Sequence, residues 1–318
     1  MACAEAARDT GPQAWLLCAG SQAGHRVDVI RDRHASDRLH LQHGPIDLII
    51  HAEGKLQEVQ AAYRQAGSAF ASVLETLTSQ LALLRRPLLP GSMAAEFRGG
   101  VARRMFAAAA PCRHETVTPM IAVAGAVADH ILAALLDGRQ IERAQVNNGG
   151  DIALFLSAGT SYRIGICASP ASVRHPDVIT LQAGDGLNGV ATSGWQGRSH
   201  SLGIADAVTV IARTSAEADV AATLIANATN VHAPEKIERI PACSLAADSD
   251  LGDRPVTVAV AALSAAEKDQ ALRAGILAAR RLLDRGLIAG AYLTLQDQTA
   301  IVGRPADTPP AHLPGIGT

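Results

Sequence analysis

"QVNNGGDIALFL", Gln145 to Leu156, sets two asparagines and two glycines between apolar, strand-like runs. Asn-Gly ahead of an alternating apolar run is a strong tight-turn signal, so the segment reads as strand, turn, strand. The same two glycines have a second use. With no Cβ, Gly149 and Gly150 let backbone N–H groups approach a ligand closely, as in loops that cradle phosphates. Both readings, turn and ligand wall, stand at this point.

Working outward, "GPIDLIIHAEG" predicts a strand over Ile46 to Ala52, stopped by Gly54. A long amphipathic helix is expected from Lys55 to Leu84, and another over Met93 to Ala109, weakened by Gly99 and Gly100. The apolar stretch Pro119 to Leu136 carries Asp129 and His130 near its middle, so it reads as a core helix ending at Gly138 rather than a membrane span.

Beyond the opening stretch, strands are expected over Tyr162 to Cys167, twice within Asp177 to Gly194, over Asp206 to Arg213, and over Arg254 to Leu263. "SAGT" (157–160) and "GDGLNG" (184–189) read as hairpin turns. The second matches G-x-G-x-x-G, but strand-like residues follow it, and a dinucleotide motif must open a helix. Thr214 with Glu217, and Ser264 with Glu267, have the spacing of capping boxes that start helices. Ile288 to Gly303 closes as a hairpin. Strands and hairpins mixed with helices predict an α+β layered domain with a mixed or mostly antiparallel sheet. One such domain is expected over 37–304, after an irregular leader (1–36) and before a Pro-rich tail (305–318).

Composition narrows the function classes. Lys plus Arg number 28 against 30 Asp plus Glu, a formal charge of −2, which supplies no electrostatic reason for a nucleic acid or membrane partner. Five scattered cysteines, with no C-x-x-C pair, point to a reducing, cytoplasmic compartment. Aromatic residues are 3%, so a ring-stacking site would have few residues to draw on, Trp195 among them.

Asp219, Thr223 and Asn227 are spaced i, i+4, i+8 and share one helical stripe. A solvated stripe would favour Lys, Glu or Gln as better helix formers. A carboxylate one turn from a hydroxyl instead offers hard oxygens to Mg²⁺, which takes its remaining ligands from water and phosphates. Surface and site both remain open for this stripe. "ATSGWQGRSHS" (191–201) places Thr192, Ser193, Arg198, Ser199 and His200 in a Gly-punctuated loop suited to phosphate oxygens, or is simply a polar loop. "DSDLGD", with Asp248, Asp250 and Asp253, is too short for a calcium loop and reads as a turn.

"NNGGDI", "ATSG" and "ADVAAT", in that order, resemble the Gly-Gly-Asp, Thr-Ser-Gly and A-D-x-x-x-T motifs of the FAD:protein FMN transferases (the ApbE-like superfamily). "AVAGAVADHI" is similar to their Gly-rich helix ending in Asp, here Asp129. "VTPMIAVAGAVAD", "GRSHSLGIADAVTV" and "DSDLGDRPVTV" resemble a separate, divergent branch, over most of the chain from Arg38.

The resemblance implies FAD as ligand or substrate, Mg²⁺, and a protein acceptor as partner. It implies Asp219 and Thr223 as metal holders and Asp219 as catalytic. Asn148, Gly149, Gly150, Asp151, Thr192, Ser193, Gly194, Arg198 and Asp129 would approach the flavin nucleotide. His200 takes the place of the family histidine as the second catalytic residue the resemblance implies, without the Asp-Pro that follows it there. Ala124 stands where the family has a lysine, which removes a positive charge from a phosphate site. Three functions therefore remain: FMN transfer or FAD cleavage, non-catalytic flavin carriage, and a scaffold that kept only the fold.

Overall fold

The computed structural model describes residues 25–32, 35–166, 177–197, 199–247 and 249–304. The first half contains β1 (His25–Asp32), β2 (Ala35–His43), β3 (Ile46–Gly54), α1 (Leu56–Phe70), α2 (Val73–Thr78), α3 (Leu81–Leu84), α4 (Gly100–Ala109) and α5 (Val123–Leu136). Strands β4 (Ile141–Asn148), β5 (Asp151–Leu156), β6 (Ser161–Ile166), β7 (Asp177–Gln182), β8 (Gly189–Ser193) and β9 (Ala207–Ala212) follow. The chain then forms α6 (Ser215–Ala228), β10 (Ile237–Pro241), α7 (Ala242–Leu245), β11 (Pro255–Val260), α8 (Ala265–Asp284), β12 (Gly290–Leu295) and β13 (Gln298–Gly303).

Nine strands make the main sheet, in the order β1-β2-β3-β4-β5-β8-β9-β12-β13. Among the described residues every strand pairing is antiparallel. Period-2 burial explains which face the helices cover. In β3 the side chains of Ile46, Leu48, Ile50 and Ala52 are buried, and in β4 those of Ala144, Val146 and Asn148. The helices α1, α5, α6 and α8 pack on that face, and one apolar core joins them to the sheet. Helix α5, expected as a core helix, buries Gly125, Ala126, Val127, Ala128, Ile131, Leu132 and Leu135 inside the protein.

The opposite face carries a second, smaller core. Strands β6 and β7 form their own two-stranded sheet, and Ile166, Ile179 and Leu181 pack against Leu154, Val190, Ile211 and Tyr292 of the main sheet. This corrects two expected hairpins. "SAGT" and "GDGLNG" are turns between sheets, because β6 pairs with β7 while β5 pairs with β8. The apolar alternation of Tyr162, Ile164 and Ile166 fits a strand laid over another layer as well as one laid beside it.

The helix expected over 55–84 is broken into α1, α2 and α3. Short polar side chains bond back to the main chain there: Thr76 Oγ1 donates to Ser72 O at 2.7 Å and Ser79 Oγ to Thr76 O at 2.9 Å. Gln80 then clamps a different segment, donating to Arg98 O at 2.8 Å and accepting from Arg98 N at 2.9 Å. The helix expected over 93–109 starts only at Gly100, because Gly99 has φ 81°. Strand β1 lies within the segment expected as an irregular leader and pairs with β2. Residues 1–24 of that leader and the tail 305–318 lie outside the described residues.

Candidate functional site

Helices α5 and α6 begin side by side, and each supplies a carboxylate to the other's first turn. The first N–H groups of any helix lack intrahelical partners. In α6 the Thr214 hydroxyl accepts from Glu217 N at 3.2 Å. Asp129 of α5 takes the next two donors, Ser215 N on Oδ1 at 3.0 Å and Ala216 N on Oδ2 at 2.9 Å. In return, Asp219 of α6 accepts from Gly125 N at 3.0 Å and from the N–H of Ala124. The helices can approach this closely because residue 125 is glycine; a Cβ there would lie 2.4 Å from Ser215 O.

The opening stretch meets this pair of helix ends. Asn148 and Asp151 face each other across a two-residue turn, in which Gly149 has φ 68° and Gly150 φ 118°. Both φ values fall where glycine is at home, as a tight antiparallel hairpin requires. Asn147 Oδ1 holds the turn by accepting from Gly150 N at 2.9 Å. Asn148 is 8% exposed and its Nδ2 donates to Ala124 O at 3.0 Å, tying the hairpin to the start of α5. Asp151 accepts from the N–H of Thr192, which brings in β8. The Thr192 hydroxyl in turn lies 2.9 Å from that of Thr209.

Asp219 thus lies within electrostatic reach of both Asp151 and Asp129. Burial pushes the Asp129 carboxyl up to about 6, offset in part by its two backbone donors and Arg104. Burial raises Asp219 well above the usual carboxylate range, and the nearby Asp151 raises it further; the N–H groups of Gly125 and Ala124 act the other way. Asp151 is also raised, by burial, against the N–H of Thr192. A second carboxylate beside Asp219 therefore adds to burial in disfavouring its charged form. Among the described residues no three His, Cys, Asp or Glu side chains converge as a metal cage. Mg²⁺ does not need one, since it commonly uses one or two carboxylates plus water and phosphate. Asp219, with Thr223 one turn along α6, fits that donor set.

Other expected residues lie apart from this centre. Gly194 is pressed against the chain at Asp206, where a Cβ would meet Asp206 O at 2.3 Å, and Ser193 ends β8 just before it. Trp195 Nε1 donates to Asp206 Oδ1 at 2.9 Å. His200 precedes Ser201 and Leu202, which are held by Asn227 Oδ1 at 3.4 and 2.9 Å. Asn227 is eight residues beyond Asp219, roughly 12 Å along the helix. It therefore serves as a loop anchor, distinct from the Asp219 end of the stripe. Arg198 and Asp248 lie outside the described residues; Asp253 accepts from Cys243 Sγ at 3.1 Å and Asp250 is exposed. The reciprocal caps were missed in the sequence. Their signal was present, in Gly125 one helical turn before Asp129.

A family model described as AbpE bacteria matches residues 28–301. A UPF0280 protein of Methanothrix thermoacetophila is 38% identical over 112 residues, 35% of this chain and 46% of that protein. A UPF0280 protein of Methanococcoides burtonii is 40% identical over 116 residues, 36% of this chain and 47% of that protein. The chain spans about half the length of these curated relatives. Among solved structures, the apo form of the Pseudomonas stutzeri flavinyl transferase ApbE has a TM-score of 0.38 at 13% identity, covering 87% of this chain and 94% of that one. A mutant of the flavin transferase ApbE from Vibrio cholerae has a TM-score of 0.40 at 11% identity, covering 88% and 97%.

Proposed function

The chain belongs to the family described as AbpE bacteria, and from that membership we propose that it binds a flavin nucleotide beside the β4–β5 turn and acts, with Mg²⁺, on its pyrophosphate. Breaking the P–O–P bond of FAD would release AMP, with the FMN phosphorus taken either by water, giving free FMN, or by a hydroxyl oxygen of a protein acceptor, whose proton is lost. The observation that carries this reading is the meeting of Asp151 and Asp219 at the first turn of α5, each raised in pKa.

Each part of the chain has a task in this reading. Asp219 and Thr223 would hold Mg²⁺, which when bound neutralises charge on phosphate oxygens. Gly150 leaves room for a ligand, with no atom within 4 Å of where a Cβ would stand, while its N–H is held by Asn147 Oδ1. Thr192 is exposed, and with Ser193 and Gly194 it would line the nucleotide. Asn148 and Asp129 hold the walls, one through Ala124 O and the other through the start of α6. His200 sits on the loop anchored farther along α6, so a part in proton transfer requires a ligand that reaches along that helix.

Ala124 favours a second reading, non-catalytic carriage of the flavin. Its position offers N–H and C=O groups but no cation, leaving Arg104 as the cation that acts on Asp129. The two readings separate when the protein is incubated with FAD, with and without Mg²⁺, and the products are resolved by chromatography. Mg²⁺-dependent FMN, lost in Asp219→Asn, is the expected result. Intact FAD with quenched flavin fluorescence would favour carriage; intact FAD with no quenching would overturn both. Asparagine is the better probe, because it keeps an oxygen for Gly125 N while removing the charge.

A further inference from the structure

Past the end of α6 the chain turns at Asn230 into the β10–β11 arm, and there a cation lacks a counter-charge among the described residues. Arg239 of β10 is half-buried, and its Nη2 donates to Asn230 Oδ1 at 2.7 Å. That oxygen is neutral and also accepts from Val231 N at 2.9 Å, while Asn230 Nδ2 donates to Leu202 O at 3.2 Å. Burial alone acts on the guanidinium, lowering its pKa, and no described carboxylate offsets it. Taking a charge out of water with no opposite charge beside it is costly, and an oxyanion relieves the cost.

The surroundings match such a ligand. The β10–β11 register shifts between Glu238 and Arg239, a bulge of the kind that re-aims a side chain. Thr257 stands directly across from Arg239, is 4% exposed, and its hydroxyl has no hydrogen-bond partner among the described residues. Thr257 N donates to Ser201 O at 2.9 Å, so the loop bearing Ser199 and His200 adjoins the same arm.

We infer that Arg239, Thr257 and the 199–203 loop form an anion subsite for a phosphate group, separate from the Asp219 end of α6. A guanidinium fork engages two oxygens, and the unpaired hydroxyl of the residue paired with Arg239 across the ladder offers a donor for a third, which phosphate has and a carboxylate lacks. The subsite stands on its own residues and requires neither metal nor flavin.

Calorimetric titration of the full chain in EDTA, first with inorganic phosphate and then with AMP, tests it. Saturable one-to-one phosphate binding is expected, weakened at least tenfold by Arg239→Gln and unchanged by Asp219→Asn. Thr257→Val should weaken it by a few-fold. AMP binding more tightly than phosphate, with the same loss in Arg239→Gln, would identify a nucleotide phosphate as the occupant. Circular dichroism checks that the variants fold; should Arg239→Gln not fold, Arg239→Lys, which keeps charge but loses the fork, is expected to bind measurably more weakly. No saturable binding to the wild type, or equal affinity in wild type and variant, overturns the subsite. Since these titrations contain neither Mg²⁺ nor flavin, their failure would leave the flavin reading standing, and the reverse also holds.

Discussion

At the scale of single residues, Asp129 is the clearest case of a side chain with two masters. Its hydrogen bonds to Ser215 and Ala216 want it charged, and its burial wants it neutral; burial prevails, with the carboxyl pushed up to about 6. In the unfolded chain this carboxyl ionises near its ordinary value of ~4. Between those two values the folded protein holds a proton that the unfolded chain has released. Stability therefore falls as pH rises from about 4 to about 6 and loses no more on this account above it. Asp151 and Asp219 are raised too and act in the same direction. Thermal melts across pH 4 to 7 should show this decline, and Asp129→Asn should make it shallower. An unchanged slope in the variant would assign the pH sensitivity to other groups.

At the scale of elements, the contact between α5 and α6 depends on one missing methyl. An alanine at 125 would place its Cβ 2.4 Å from Ser215 O, so the helices would have to separate. Gly125→Ala should cost roughly 1–3 kcal/mol by overpacking, set against a helix-propensity gain of about 1 kcal/mol. A lowered midpoint in a denaturant melt is expected; an unchanged or raised one would show that the helices yield freely. Elements whose ends are set locally were legible in the sequence. The Gly149–Gly150 turn and the capped starts of α6 and α8 fall where the residues put them, with Thr214 and Ser264 accepting from Glu217 and Glu267. The break of the expected 55–84 helix was not legible, because Gln80 leaves the helical pattern to bond Arg98, eighteen residues away.

At the scale of the whole molecule, the alternation of apolar residues announced sheets and helices in layers, and the hairpins β1–β2, β2–β3, β4–β5 and β12–β13 supply four of the antiparallel pairs of the main sheet. What could not be read was which strands share a sheet: β6 and β7 have the pattern of sheet members, yet cover the second face instead. The candidate site was legible as three motifs in order and illegible as a shape, since Asn148, Asp151, Thr192 and Asp219 meet only through tertiary contacts. The exchange of carboxylates between α5 and α6 has a further consequence, for the timing of their opening. Neither helix can fray at its first turn without stripping a cap from the other, so the two starts should open as a single unit. In a hydrogen–deuterium exchange experiment, the amides of Ala124, Gly125, Ser215 and Ala216 should share one slow rate, and Asp219→Asn should speed all four. A ligand that grips one helix would then slow exchange at the other as well, making the pair a built-in reporter of occupancy.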